Sequence, residues 1–177
     1  MSLYFITGNK NKFKEIKSML PNLERLNIDL PEIQSMDSRE IIKEKLLSAL
    51  KHKKAKFIVE DTSLYLDCLN GLPGPFIKWF LDTIGNKGLF EIAKKFSNQK
   101  AKAQTIIGYT NGTDIYYFEG SIDGKIVFPK EKTNFGWDPI FQPSGYSKSF
   151  AELSREEKNK ISMRKIAVSK LKKFINN

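Results

Sequence analysis

Apolar and polar residues follow one another along the chain in blocks that predict strands alternating with helices. The short apolar run Leu3–Ile6 predicts a buried strand, and it ends at the glycine turn Thr7-Gly8-Asn9. Beyond the turn, Phe13, Ile16 and Leu20 recur at helical spacing with lysines between them. The N-terminal region is therefore predicted to be a strand, a glycine turn and a helix.

The next blocks continue this alternation. Residues 23–28 predict a second strand, and residues 37–40 resemble a capping box that opens a second amphipathic helix. A third apolar strand, residues 57–59, runs directly into Glu60 and Asp61. Glycines and prolines make residues 71–75 a loop, after which two helical stripes follow, separated by a glycine.

The C-terminal half changes character. Residues 102–128 carry two hairpin dipeptides, Asn111-Gly112 and Asp123-Gly124, between β-rich segments, which predicts an antiparallel meander of three strands. A capping box at residues 154–157 and a last amphipathic helix end the chain. Because there is no internal repeat or flexible linker, we expect one continuous domain over residues 1–177, of the α/β class with a mixed sheet.

Composition and charge narrow the class of protein. The chain has 177 residues, and 30 Lys and Arg against 20 Asp and Glu give a net charge of +10. Such an excess, mostly lysine, favours phosphate-bearing ligands of any kind. The single cysteine, Cys68, excludes an intramolecular disulfide and a cysteine zinc cluster. With no signal-peptide pattern and no apolar run of membrane-spanning length, we expect a soluble, cytoplasmic protein that binds no membrane.

Two polar segments are candidates for chemistry with phosphates. Residues 7–12 place a glycine turn and two lysines at a helix N-terminus, where free N–H groups and the helix dipole attract anions. Glu60 and Asp61 follow an apolar strand, and magnesium takes one or two carboxylates together with substrate phosphates. An ordinary turn with solvated lysines, and a strand end with a helix-capping aspartate, are the structural alternatives.

Two further segments are candidates for ligand binding, and the first of them suits the recognition of a planar base. The aromatic residues of segment 135–141 flank a glycine, an arrangement that allows a base to lie against a ring, although such clusters more often belong to a core. Residues 157–164 place Lys158 and Arg164 around a helix start. Most charge runs of that kind are solvated surfaces.

Taken together and in this order, the segments resemble one family. The sequences TGNKNK, EDTSLYLDCLNGLPGPFIKWFL, FGWDPIF and AELSREEKN are similar to those of the inosine triphosphate pyrophosphatases. The resemblance implies hydrolysis of non-standard purine nucleoside triphosphates, such as ITP, dITP and XTP, to the monophosphate and pyrophosphate. It also implies an elongated mixed β-sheet flanked by helices, two lobes with a central cleft, and a homodimer.

The resemblance also implies roles for individual residues. Asp61 corresponds to the catalytic acid, and Mg²⁺ would be held by Glu32 and Asp61, with Glu60 reaching it through water. The residues that correspond to substrate contacts are Thr7, Gly8, Asn9, Lys10, Asn11, Lys12, Lys45, Thr62, Lys78, Phe135, Gly136, Trp137, Asp138, Lys158, Met163 and Arg164. Phe135 would stack on the base, and Arg164 would donate to the 6-keto oxygen.

One position departs from the family. Met163 stands where the family has a histidine that contacts substrate, so we expect one polar contact at the base end to be missing. Two alternatives remain at this stage. One is a non-enzymatic protein that binds single-stranded nucleic acid through lysines and aromatics, against which the carboxylates at positions 60 and 61 argue by repelling phosphates. The other is a related pyrophosphatase that acts on modified pyrimidines.

Overall fold

A computed structural model describes residues 2–130 and 136–176 of the chain. The elements of the described part, in chain order, are β1 (Leu3–Ile6), α1 (Lys10–Met19), β2 (Leu23–Leu26), α2 (Ser38–His52), β3 (Lys56–Leu66), β4 (Pro73–Gly74), α3 (Ile77–Thr83), α4 (Gly85–Lys95), β5 (Lys100–Thr110), β6 (Ile115–Ile126), β7 (Phe141–Pro143), α5 (Arg155–Ile161) and α6 (Met163–Ile175). The helices and the first two strands lie where the apolar periodicity predicts them.

The strands form one mixed sheet, which confirms the predicted α/β class. The strand order is β2-β1-β3-β5-β6-β7, and β4 pairs with β3 outside this path. Strand β1 runs parallel to both β2 and β3, whereas β3 is antiparallel to β4 and β6 is antiparallel to β7. The carboxyl ends of β1 and β2 therefore meet at one edge of the sheet, where the loop after β1 lies.

The third strand is longer than its apolar run. The sequence predicted that the strand ends at Glu60, but β3 continues through Glu60 and Asp61 to Leu66. The register with β1 reaches Ile58, but β3 also neighbours β5 in the sheet and pairs with β4 at Leu64 and Tyr65, so its backbone has further partners beyond Glu60. The two carboxylates therefore lie within a strand, and successive side chains of a strand point to opposite faces.

The prediction of a three-stranded meander is wrong in its second turn. Asn111-Gly112 does connect β5 to β6, but Asp123-Gly124 lies inside β6. Gly124 pairs with Pro143 of β7, and a Cβ at Gly124 would lie 2.5 Å from the Gln142 carbonyl oxygen. The glycine thus allows the close approach of β7, and a glycine in a strand can have this purpose as well as marking a turn.

Helix caps fix two elements that carry candidate residues. The Asp37 side chain accepts a hydrogen bond from the Arg39 N–H and begins α2. Ser154 and Glu157 form a complete capping box at the start of α5. The hydrogen bond from the Ser154 backbone lowers the pKa of Glu157, because it favours the ionised carboxylate.

The chain divides into two compact units. Unit 1 comprises Met1–Asp61, Thr105–Gly120 and Arg164–Asn177, and unit 2 comprises Thr62–Gln104 and Ser121–Met163. Unit 1 has two apolar clusters, centred on Ile58 and on Leu46, and unit 2 has one, which includes Phe141 and Phe150. Among the described residues, no helix has both the length and the apolar character needed to cross a membrane.

Candidate active site

The predicted site residues fall into two sets, one in each unit. Unit 1 holds the loop after β1 together with Glu32, Lys45, Glu60, Asp61 and Arg164. The set in unit 2 is Thr62, Lys78, Gly136, Trp137, Asp138, Lys158 and Met163. Phe135, the predicted stacking residue, lies outside the described residues, so its role stays a prediction.

The loop after β1 opens helix α1 and is held by its own side chains. The Asn9 side chain accepts hydrogen bonds from the N–H groups of Asn11 and Lys12, at 2.9 and 3.1 Å. The Thr7 hydroxyl accepts one from the Asn9 N–H at 3.1 Å. Polar side chains therefore order the first turn of the helix, and Lys10, Asn11 and Gly8 are exposed beside it. The N–H groups of Asn9, Asn11 and Lys12, which the sequence predicted to be free, are thus bonded within the loop, and what the loop offers an anion is the positive end of the helix and its lysine side chains.

Gly8 is not explained by the fold alone. Its φ lies outside the left-handed region that favours glycine, and a Cβ added there would meet only Asn27 Oδ1, at 3.8 Å, which is an ordinary contact. The space beside the Gly8 backbone is therefore open. A glycine that the fold does not require is typical of a place where a ligand approaches the main chain.

Glu60 and Asp61 belong to opposite faces of β3 and have different partners, and their predicted roles at the metal stay predictions. Both Glu60 oxygens accept hydrogen bonds from Arg164, from Nε at 2.8 Å and from Nη2 at 2.9 Å. Asp61 Oδ2 instead accepts one from the Ser38 hydroxyl at 2.7 Å. The arrangement gives Glu60 a structural partner in the last helix and gives Asp61 a partner at the start of α2.

Arg164 lies at the centre of a buried charge cluster. Its guanidinium contacts Glu15 of α1 as well as Glu60, and Lys12 Nζ lies 3.3 Å from Glu60 Oε1. The Arg164 side chain is only 2% exposed, and that of Glu60 is fully buried. Burial by itself lowers the pKa of Arg164, but the attraction of the Glu60 and Glu15 carboxylates outweighs it, and the net pKa is raised. The direct contact of Arg164 with a purine oxygen stays a prediction.

The metal ligands expected by resemblance are carboxylates of unit 1. Glu32 forms an ion pair with Lys45, and Asp61 contacts Ser38. Within residues 2–130 and 136–176, no group of three or more His, Cys, Asp or Glu side chains is arranged to hold a metal ion. Magnesium does not need such a group, because it binds through one or two carboxylates and keeps waters and substrate phosphates as its other ligands. The oxygen donors of Glu32 and Asp61 fit that requirement.

Unit 2 contains a second buried ion pair. Lys158 Nζ lies 2.5 Å from Asp138 Oδ2, and the same ammonium lies 5.3 Å from the centroid of the Phe150 ring. Both charged side chains are at least nine-tenths buried. The capping box that begins α5 places Lys158, and a 3-10 turn at Asp138–Ile140 places its partner. A residue of the predicted base-holding strip and a predicted substrate lysine are thus brought together.

The predicted base-holding strip has two different halves. Trp137 packs against Phe141 and Phe150 in the apolar cluster of unit 2 and is 6% exposed. Gly136 is exposed, and its carbonyl accepts a hydrogen bond from the Asn86 amide at 3.0 Å. Trp137 is therefore a core residue, which is the structural alternative for this aromatic segment, while Gly136 lies at the surface.

The remaining predicted residues of unit 2 differ in exposure. Met163 is 2% exposed and lies in the apolar cluster of unit 2. A histidine at that position would bury an imidazole among apolar side chains, where an unpaired polar group is costly. Lys78 is exposed on α3, and Thr62 is half-buried. Their substrate contacts stay predictions.

Sequence reasoning missed two residues of unit 1 that orient the predicted ones. Glu15 contacts Arg164, and Ser38 donates to Asp61. The one signal for Glu15 is that it is the sole acidic residue of a lysine-rich helix. Ser38 carried no signal of its own, because it followed an aspartate that already explained the helix start.

We expect Arg164→Met to lower the free energy of unfolding by about 3–5 kcal/mol, because it removes the guanidinium that contacts two buried carboxylates. Urea unfolding followed by far-ultraviolet circular dichroism measures the change. In the double variant Arg164→Met/Glu60→Met, the loss in the free energy of unfolding should be smaller than the sum of the losses in the two single variants.

The matched control is Arg39→Met. Arg39 Nη2 lies 3.7 Å from Glu119 Oε2, but these side chains are 55% and 38% exposed. Such an exposed pair contributes about 0–1 kcal/mol. If Arg164→Met and Arg39→Met lower the free energy of unfolding equally, the cluster around Arg164 does not stabilise the fold.

Comparisons with known proteins agree over nearly the whole chain. The sequence model of the Ham1 family matches residues 3–174. The inosine triphosphate pyrophosphatase of Schizosaccharomyces pombe is 40% identical over 98% of this chain and 95% of its own length. The protein of the same name from Batrachochytrium dendrobatidis is 41% identical over 98% of this chain and 93% of its own.

Solved structures share the fold. A HAM1 protein from Coxiella burnetii superposes with a TM-score of 0.83 at 25% identity and covers 99% of both chains. The Ham1 protein of Staphylococcus aureus gives 0.76 at 24% identity over 98% of both chains. A nucleoside-triphosphatase, or dITP/XTP pyrophosphatase, from Mycobacterium abscessus gives 0.74 at 23% identity, over 97% of this chain and 98% of its own. With its whole length matched in sequence and in fold, this chain belongs to the Ham1 family.

Proposed function

We propose that this chain hydrolyses non-standard purine nucleoside triphosphates, namely ITP, dITP and XTP, to the monophosphate and pyrophosphate. The observation that carries the proposal is the full-length likeness to two relatives that are named inosine triphosphate pyrophosphatases. The family match covers both units, which supports treating residues 1–177 as one pyrophosphatase domain. A homodimer and a cytoplasmic location, both implied by the resemblance, belong to the same proposal.

The triphosphate is assigned to the loop at residues 7–12. The exposed Gly8 backbone, the start of α1 and the side chains of Lys10 and Lys12 offer hydrogen-bond donors and positive charge to an anion. Lys45, Lys78 and Lys158 are further cations for the same ligand. This use of lysine accounts for part of the net charge of +10.

Asp61 is assigned as the general base. A carboxylate that accepts a proton from water must be held in place, and the Ser38 hydroxyl holds Oδ2 of Asp61 at 2.7 Å. When Mg²⁺ is bound, with Glu32 and Asp61 as its protein ligands, it neutralises phosphate charge and lowers the pKa of the attacking water. Attack at the α-phosphorus gives pyrophosphate, and the choice of that phosphorus comes from the family.

Base selection is assigned to the buried Arg164. The resemblance gives the 6-keto oxygen to Arg164, and an arginine only donates hydrogen bonds. Adenine presents an amino donor at the same position, and two donors that face each other leave both unpaired. ATP should therefore be a poor substrate. Lys158 and Asp138 supply a fixed polar pair in unit 2.

A substrate panel tests the proposal. Wild-type protein is incubated with ITP, XTP, dITP, ATP and a modified pyrimidine triphosphate, and monophosphate, pyrophosphate and phosphate are measured separately. We expect pyrophosphate from the first three, little turnover of ATP, and loss of activity in EDTA that added Mg²⁺ restores. Release of phosphate in place of pyrophosphate, or equal turnover of ATP, would refute the proposal.

We expect Asp61→Asn to lower kcat for ITP about 10²- to 10⁴-fold, the range for removal of a positioned base, with the melting temperature nearly unchanged. Asp114→Asn is the matched control. Asp114 is an exposed aspartate in the β5–β6 turn, and its Oδ2 accepts a hydrogen bond from the Asn111 amide at 3.2 Å. A folded Asp61→Asn variant that turns over ITP at the wild-type rate would show that another group is the base.

We expect Gly8→Ala to keep the wild-type melting temperature while it raises KM for ITP about tenfold, because the added methyl fills space that the ligand's phosphate would occupy. Gly108→Ala is the contrasting variant. A Cβ at Gly108 would lie 2.1 Å from Ile42 Cγ2, so this change should lower the melting temperature. An unchanged KM in Gly8→Ala would place the phosphates elsewhere.

A further inference from the structure

Arg25 of β2 contacts the main chain of the loop after β1. Its Nε donates a hydrogen bond to the Thr7 carbonyl oxygen at 3.1 Å, and its Nη2 donates one to the Gly8 carbonyl oxygen at 3.0 Å. The parallel register pairs Phe5 with Arg25 and Ile6 with Leu26, so the arginine lies one residue before the end of its strand. The Thr7 N–H also donates to the Leu26 carbonyl at 3.2 Å. Strand β2 thus holds the loop at three points.

These contacts orient the loop. In a trans peptide the carbonyl and the N–H point in opposite directions. Because the Thr7 and Gly8 carbonyls point toward Arg25, the N–H groups of Gly8 and Asn9 point away from it. The Asn9 N–H donates to the Thr7 hydroxyl, so the Gly8 N–H is the one that this orientation turns toward the open side of the loop. The carbonyl oxygens, which would repel a phosphate, are therefore held on the side of the loop that faces β2.

The guanidinium also changes the electrostatics of the loop. Hydrogen bonds from a cation are stronger than neutral ones, and they polarise the peptides that accept them. Polarised peptides donate more strongly through the N–H groups on the opposite side. A guanidinium can reach two carbonyls at once because its N–H groups form a rigid fork, whereas a lysine is a single point charge. Only four of the 30 basic residues of this chain are arginines.

We propose that Arg25 is a positioning residue for the phosphates of the substrate, acting by holding the Thr7 and Gly8 carbonyls. The inference rests on the proposed function, in that the loop at residues 7–12 is taken as the triphosphate site. Arg25 acts through the main chain and not by contact with substrate. Its removal should weaken the binding of any polyphosphate, whatever base the ligand carries.

The test compares Arg25→Gln, Arg25→Lys and the control Arg39→Gln. Arg39 is removed by the same substitution, and its guanidinium lies over the Tyr117 ring, 5.6 Å from the centroid, and beside Glu119. Three quantities are measured for each protein: the Kd for inorganic tripolyphosphate by calorimetry, kcat and KM for ITP and for ATP, and the melting temperature without ligand.

We expect Arg25→Gln to weaken tripolyphosphate binding and to raise KM for ITP by a similar factor, about tenfold, since hydrogen bonds to a charged group are lost. The kcat should stay within about twofold, and the ratio of ITP to ATP turnover should not change. Arg25→Lys keeps the charge and should lie between wild type and Arg25→Gln. Arg39→Gln should match wild type.

A lower melting temperature with unchanged tripolyphosphate affinity would make Arg25 merely structural and overturn the proposal. If Arg25→Gln does not fold, the test uses Arg25→Lys instead. A folded Arg25→Lys variant that binds tripolyphosphate with the wild-type Kd overturns the proposal. A wild-type protein that turns over no ITP refutes the proposed substrate class. The tripolyphosphate comparison still decides the role of Arg25 in that case, because this ligand carries no base.

Discussion

Unit 1 depends on one constraint, which is that a buried charge must have a partner of opposite charge. Arg164 meets it through Glu60 and Glu15, and so the last helix, the third strand and the first helix are joined at one point. Glu60 is thereby fixed to one face of β3, and strand geometry then places Asp61 on the other face, where Ser38 contacts it. The position of Asp61, the predicted base, therefore follows from the ion pair between Arg164 and Glu60, of which Asp61 is not a member.

Local signals predicted much of the fold. The first strand, the glycine turn and the amphipathic helices follow from residue spacing and capping chemistry, both of which depend on near neighbours in sequence. The two errors concern long-range pairing. Glu60 and Asp61 look like a strand end unless one knows that β3 goes on to pair with β4, and Gly124 looks like a turn unless one knows that β7 approaches it.

The site was predicted mainly through motifs, and the structure adds to it what motifs do not carry. A motif names Asp138, Lys158 and Arg164, but not that the first two form a buried pair or that the third is held by a glutamate of α1. Arg25 and Ser38 act on main-chain or carboxylate atoms of other residues, and such contacts leave no spacing pattern in a sequence. The glycine turn after the first strand identified Gly8 as a candidate. The open space beside its backbone gives a physical reason for a glycine there.

The placement of the aromatic residues determines which optical signals can follow each unit. Both tryptophans of the chain lie in unit 2, Trp137 in its apolar cluster and Trp79, 53% exposed, on α3. Four of the six tyrosines lie in unit 1, where Tyr109 and Tyr116 stack on each other and both contact Phe174. Tryptophan emission therefore reports directly on the packing of unit 2. Near-ultraviolet dichroism of the tyrosines is weighted toward unit 1, so different transitions in the two signals would show that the units unfold separately.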